Sequence, residues 1–151
     1  MGIYSYELFK EYDVDYVIRI GSCGAYDERL KLNDIILVDY SISDSNYAKL
    51  LDNYKKNYIS SDKYLNDIIT SVATTQNMKL YKGNIYSSET FYETVDYKKR
   101  NKKYNVLGVE METFSLFNNA RLLNKNSGII YERDITIRES DIRNGSQLII
   151  Y

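Results

Sequence analysis

Apolar positions along the chain switch repeatedly between helical and strand-like spacing, an order that predicts an α/β fold. Residues 5–12 (SYELFKEY) set Leu8 and Tyr12 on one side behind Ser5, which predicts a short amphipathic helix capped by that serine. Residues 13–15 turn, and 16–20 read as a buried strand. That strand breaks into a small-residue loop, Gly21-Ser22-Cys23-Gly24, at its C-terminal end, where open α/β sheets place their ligands. Residues 34–40 (DIILVDY) predict a second strand covered on both faces. The polar stretch 44–61 reads as a surface excursion. Residues 62–76 carry Leu65, Ile68, Ile69 and Val72 at helical spacing behind a Ser61 or Asp62 cap. A strand is predicted over 80–86, another over 106–109, a helix over 113–123 and a last strand over 128–131. The whole reads as one domain over 1–151, a central mixed, largely parallel sheet flanked by helices.

Composition narrows what such a domain does. At 151 residues, 44% hydrophobic, the chain is long enough to bury one core. A net charge of −1 gives no drive toward nucleic acid, and no apolar run approaches the ~20 residues that span a bilayer. The single cysteine, Cys23, has no partner for an internal disulfide, and the acidic, polar start does not resemble a signal peptide, so a reducing cytoplasm is expected. Histidine is absent, which removes Ser-His-Asp and Cys-His catalysis within the chain and the usual zinc sites. No metal is expected. Proton chemistry must use carboxylates, Lys, Tyr or Cys. Proline is also absent while Tyr, Asn, Lys and Ile are abundant, a coding bias that discounts the 17 tyrosines as a binding surface.

Two stretches carry candidate chemistry. In Ile18-Arg19-Ile20-Gly21-Ser22-Cys23-Gly24 a guanidinium, a hydroxyl and glycines suit an anion, although a strand before a glycine-rich turn is common in α/β proteins. In Val109-Glu110-Met111-Glu112 two carboxylates bracket Met111 at a strand-to-helix junction; the helix dipole alone accounts for a carboxylate there. Junction and loop share the ligand edge of the sheet if their strands run parallel. Phe91 reads equally as a core residue or as a stacking platform. The basic run 98–103 reads as a solvated helix end rather than a phosphate patch. Cys23 reads as a small buried residue, since no histidine lowers its pKa.

Taken together, RIGSCG and VEME, in this order and separation, resemble the two signatures of the purine nucleoside phosphorylase family of the hexameric, bacterial-type kind. Between them, Leu30-Lys31-Leu32-Asn33-Asp34-Ile35-Ile36, Asp44-Ser45, and Ser87-Ser88 with Phe91-Tyr92 are similar to further family segments. The resemblance implies cleavage of purine (deoxy)ribonucleosides by inorganic phosphate, giving free base and (deoxy)ribose 1-phosphate, with phosphate as co-substrate and no other cofactor. It implies that Arg19, Gly21 and Ser22 hold phosphate beneath C1′ of the sugar, where it acts as nucleophile and electrostatic stabiliser. It also implies that Glu112 accepts the ribose hydroxyls, Met111 packs on the sugar, and Glu110 orients. Cys23 and Gly24 would border the base, Val109 wall it and Phe91 stack on it.

The family protonates the leaving purine at N7 with an aspartate after the strand that follows the VEME helix. Spacing favours Asp134; Asp141, within Ser140-Asp141-Ile142-Arg143, is more similar to the family's Ser-Asp pair but arrives later. The resemblance runs over 16–123 and fades over 124–151. The expectation is a chain shortened at both ends relative to the family, keeping half of the phosphate site. The resemblance implies a homo-oligomer, a hexamer built as a trimer of dimers if the chain is complete. A uridine phosphorylase, a 5′-methylthioadenosine-type nucleosidase and a catalytically inactive nucleoside-binding or assembly module are the alternatives.

Overall fold

The computed structural model describes residues 1–92 and 96–136. Helix α1 spans Gly2–Lys10 and starts ahead of the predicted cap. Ser5 therefore lies inside the helix, where its hydroxyl donates back to the Met1 carbonyl (3.0 Å) and accepts from Asn119 Nδ2 (2.8 Å). Ser5 and Phe9, one turn apart, form the buried face; Leu8 and Tyr12 are exposed. The polar stretch after the second strand holds two short elements, α2 (Tyr47–Asp52) and β3 (Tyr58–Ser60). Helix α3 (Lys63–Thr75) begins as its pattern predicts, with the Asp62 carboxylate accepting from the Leu65 N–H at 2.8 Å. It buries Leu65, Ile69 and Ala73 and leaves Ile68 and Val72 at the surface. Helix α4 spans Tyr97–Tyr104 and α5 spans Thr113–Leu122.

The abundant asparagine has a structural use. Among the described residues, the non-glycine positions with positive φ are Asp13, Asn33, Asn53, Asn77, Asn105 and Asn124. Asn53 and Asn105 end α2 and α4 in the left-handed conformation that most helices reserve for glycine.

The strands are β1 (Tyr16–Ala25), β2 (Ile35–Ile42), β3, β4 (Leu80–Ser87), β5 (Val106–Glu110) and β6 (Asn126–Thr136). They lie in the order β3-β2-β4-β5-β1-β6, and β6 also pairs with β2, so five strands close on themselves with β3 outside. The long pairings, β1 with β6, β2 with β4 and β4 with β5, are parallel. The short ones, β1 with β5, β2 with β3 and β2 with β6, are antiparallel. The sheet is thus mixed and mainly parallel, as expected; its closure was not legible in the pattern. Helix α5 buries Phe114, Leu116, Phe117 and Ala120 in the core, and α1 packs beside it through Phe9.

Strand β1 departs from the reading of a buried strand. Tyr16, Ile18 and Ile20 are exposed, while Val17, Arg19 and Gly21 are half-buried on the other face. Arg19 consequently points to the interior side, toward β6 and α5.

Candidate active site

Gly21-Ser22-Cys23-Gly24 is not a loop. These residues continue β1, because β6 runs beside them in parallel and supplies backbone partners from Tyr16↔Asn126 through Gly21↔Tyr131 to Cys23↔Arg133. The register then slips: Gly24 pairs with Ile135, and Asp134 is the extra residue of a bulge opposite the Cys23–Gly24 step. At its far end β1 meets β5 antiparallel, Gly24 opposite Val109 and Ala25 opposite Gly108. The junction and the β1 end therefore come together by crossing, not by lying along a shared parallel edge.

Arg19 and Gly21 stand on the same face of β1, two residues apart. The missing side chain of Gly21 is the seat of the Arg19 guanidinium, which lies beside the Tyr131 ring with Cζ 5.1 Å from its centre. From there Nη2 donates to Glu112 Oε2 at 3.0 Å, while Nη1 is buried with no hydrogen-bond partner among the described residues. The absent side chain of Gly21 thus makes room for the arginine.

Glu110 and Glu112, on either side of Met111, have separate tasks. Glu110 is buried, and its Oε2 accepts from the N–H groups of Glu112 (2.7 Å) and Thr113 (2.9 Å) and from the Tyr131 hydroxyl (2.6 Å). It caps α5 from within the sheet, the helix-start role that a carboxylate fills for unpaired N–H groups. Burial pushes its carboxyl above the usual carboxylate range, opposed by those three donors. The Tyr131 hydroxyl also shares a 2.8 Å hydrogen bond with Thr113 Oγ1, and burial with the neighbouring Glu110 charge pushes its ionisation upward. Glu112 occupies the N-cap position of α5 with its side chain turned to Arg19. Arg19, Tyr131, Glu110, Thr113 and Glu112 form one connected polar cluster. Tyr131 was missed in the sequence, where nothing but its place in the last strand distinguishes it from sixteen other tyrosines.

The other candidates are distributed around this cluster. Met111 is exposed beside it. Ser22 is exposed and belongs to the alternate set of β1 positions from Arg19. Cys23 is buried in the main core, and the Gly24 carbonyl packs against Gly108. Val109 packs on Ile42, Tyr86 and Val106. Phe91 is 52% exposed with its ring edge-on to Tyr92, so it is not a core residue. It follows Ser88, whose N–H donates to the Glu110 carbonyl at 2.7 Å and anchors that segment to β5. Asp134 takes the bulge position of β6, and Asp141 lies outside the described residues. In the basic run, Lys102 and Lys103 fall in the last turn of α4, and the Arg100 guanidinium stacks 3.4 Å from the centre of the Tyr86 ring. Among the described residues no group of His, Cys, Asp and Glu is placed to hold a metal ion, and no helix is long and apolar enough to cross a membrane.

A closed mixed sheet with a buried carboxylate capping the helix after β5, and an arginine reaching that junction from β1, defines an α/β fold with a polar cluster at a strand crossing. The chain belongs to the phosphorylase superfamily, whose family model matches residues 2–131. It is 36% identical over 128 residues to the DeoD-type purine nucleoside phosphorylase of Mycoplasma genitalium, covering 83% of this chain and 54% of that protein. The corresponding protein of Psychromonas ingrahamii is 37% identical over 131 residues, with 83% and 54% covered. The chain spans about half the length of the curated relatives it matches. Among solved structures, the P. knowlesi homologue of P. falciparum PNP superposes with a TM-score of 0.78 at 24% identity, covering 89% of this chain and 57% of that one. The 5′-methylthioadenosine/S-adenosyl homocysteine nucleosidase of Campylobacter jejuni superposes at 0.77 and 18% identity, covering 95% and 67%; at such identity the likeness is one of fold.

Proposed function

We propose that this chain carries the phosphorolytic site of a purine nucleoside phosphorylase, splitting purine (deoxy)ribonucleosides with inorganic phosphate into free base and (deoxy)ribose 1-phosphate. The observation that carries this reading is the 3.0 Å contact between Arg19 and Glu112. It brings a candidate phosphate ligand and a candidate sugar ligand, far apart in sequence, to one point. The DeoD-type relatives, named for phosphorolysis, support it at 36% and 37% identity, against 18% for the nucleosidase fold relative.

In this reading the Arg19 guanidinium, seated on Gly21, is the charge-assisted donor to phosphate, while Ser22, the neutral donor that the resemblance implies, stands on the alternate face of β1. Glu112 accepts the sugar hydroxyls and Met111 covers the sugar. Glu110, fixed by three donors, orients the Met111-Glu112 segment without reacting. Cys23 and Gly24 border the base, Val109 walls it and Phe91 stacks on its face. Loss of the base builds positive charge on the sugar, which the phosphate beneath it stabilises before adding to C1′. Asp134, with Asp141 as the alternative, protonates N7 of the departing purine. The chain works as one domain, needs no cofactor besides phosphate as co-substrate, assembles as a homo-oligomer and resides in the cytoplasm.

The test is incubation with inosine, with and without phosphate, following hypoxanthine. Release that requires phosphate supports phosphorolysis. Release without it supports a nucleosidase, and no release supports an inactive binding or assembly module. Where release occurs, Arg19→Ala lowers phosphate use and Glu112→Ala lowers nucleoside use, each by ~10-fold or more. Equal, trivial effects of the two overturn the site.

A further inference from the structure

Arg19 and Glu112 are assigned above to different ligands, yet each is the other's partner. Nη2 of Arg19 donates to Glu112 Oε2 at 3.0 Å, and the two side chains retain 21% and 35% of their exposure, so both remain reachable from solvent. The guanidinium is held only in part by this bond: Nη1 is buried without a hydrogen-bond partner among the described residues. Gly21 beneath it and the Tyr131 ring beside it keep it aimed at this place rather than elsewhere.

We infer that the Arg19–Glu112 pair couples phosphate binding to nucleoside binding, with Glu112 acting as an internal competitor for the guanidinium. This rests on the functional reading given above. An anion at Arg19 must share that guanidinium with a carboxylate of the same sign of charge as its own. A nucleoside that gives Glu112 two hydroxyl donors draws the carboxylate to itself and leaves Arg19 more fully to phosphate. Phosphate that engages Arg19 in turn frees Glu112 to accept from the sugar. Each ligand thus removes a cost that the other would bear alone, and by linkage the factor by which each tightens the other is the same. Because both side chains are partly exposed, the pair is screened and the coupling is modest, about 3- to 10-fold.

The experiment is calorimetric titration of the full chain with inorganic phosphate at pH 7.5, for the wild type and for Glu112→Gln, whose amide keeps the size and removes the charge. The expected result is phosphate binding about 3- to 10-fold tighter in Glu112→Gln, with Glu112→Ala changing in the same direction. Phosphate binding that is unchanged or weaker in both variants overturns the coupling while leaving Arg19 as a phosphate ligand. Binding absent from the wild type and both variants overturns the coupling and the phosphate site together. A second measurement needs no variant: the wild type titrated with phosphate in a saturating C-nucleoside analogue of inosine, whose carbon–carbon glycosidic bond phosphate does not cleave, binds it about 3- to 10-fold tighter, and an identical affinity with and without the analogue overturns the proposal.

Discussion

A methyl group placed on Gly21 would stand 3.0 Å from Cζ of Arg19, nearer still to Nη1, and 3.1 Å from Cε1 of Tyr131. The obstacle is mainly the far end of a flexible side chain, so the fold has room to yield by moving the guanidinium. Gly21→Ala is therefore expected to cost about 1–2 kcal/mol of stability, the usual range of mild overpacking. If Arg19 is the phosphate ligand proposed above, its larger effect falls on the site, where the displaced guanidinium weakens phosphate binding by ~10-fold. Urea unfolding beside phosphate titration checks both. A variant with full phosphate affinity would remove Gly21 as the seat of the arginine.

Gly108 provides the contrast. There a methyl group would lie 2.6 Å from the Gly24 carbonyl oxygen and 3.2 Å from Ile85 Cδ1, at the antiparallel crossing of β1 and β5. The blocking atom is backbone, and backbone in a paired sheet does not swing aside. Gly108→Ala is expected to lose ~3 kcal/mol or more, enough to lower the yield of folded protein. Equilibrium unfolding of the two glycine variants side by side ranks them: Gly108→Ala well below Gly21→Ala.

Tyr131 spans the cluster from β6. Its hydroxyl donates to Glu110 Oε2 at 2.6 Å and shares a hydrogen bond with Thr113 Oγ1, all three being buried. Tyr131→Phe keeps the ring against Arg19 and removes both hydrogen bonds. A loss of about 1–3 kcal/mol in unfolding free energy is expected, the cost of leaving buried polar groups short of a partner. Thermal unfolding of Tyr131→Phe and Thr113→Val, singly and together, tests the shared network: the double change costs less than the sum.

Glu110 makes stability depend on pH in a direction opposite to that of a paired surface carboxylate. Burial raises its carboxyl above the usual range, so between the ordinary carboxylate value and the raised one the folded chain binds more protons than the unfolded chain. This group's contribution to stability is present at acidic pH and declines as pH rises through that window. Asp13, held low by Lys125, and Asp27, held low by Arg29, act with the opposite sign, losing stability as pH falls. Glu110→Gln, neutral throughout, is expected to remove the decline with rising pH and leave the acid-side loss in place. Urea midpoints of the wild type and variant from pH 4 to 8 decide it; parallel curves would mean that Glu110 ionises normally in the folded chain.

Much of the fold was written in local pattern. A cap for α3 at Ser61 or Asp62, the strands around 35–42, 80–87 and 106–110, and the helix from Thr113 follow from side-chain periodicity and capping chemistry, which neighbouring residues decide among themselves; the structure selects Asp62. Errors arose where a distant partner overrode a local preference. Gly21 to Gly24 read as a loop because glycines weaken strands, yet β6 pairs with them and holds them extended. Ser5 read as a cap because caps favour serine, yet Asn119 of α5 receives it inside α1.

The sequence by itself determined that the chain is an α/β domain without histidine chemistry, because residue types and spacing are local properties, while Arg19, Glu110 and Glu112 became candidate ligands through the resemblance that their two motifs carry. Only the tertiary structure decided that Arg19 rests on Gly21 and Tyr131, that Glu110 caps α5 while Glu112 turns to the arginine, and that five strands close. Those outcomes depend on β6 lying beside β1 and on β5 crossing it at Gly24 and Ala25, contacts between residues separated by most of the chain. A one-dimensional pattern sets which face a side chain prefers; which partner fills that face is a matter of strand order and register.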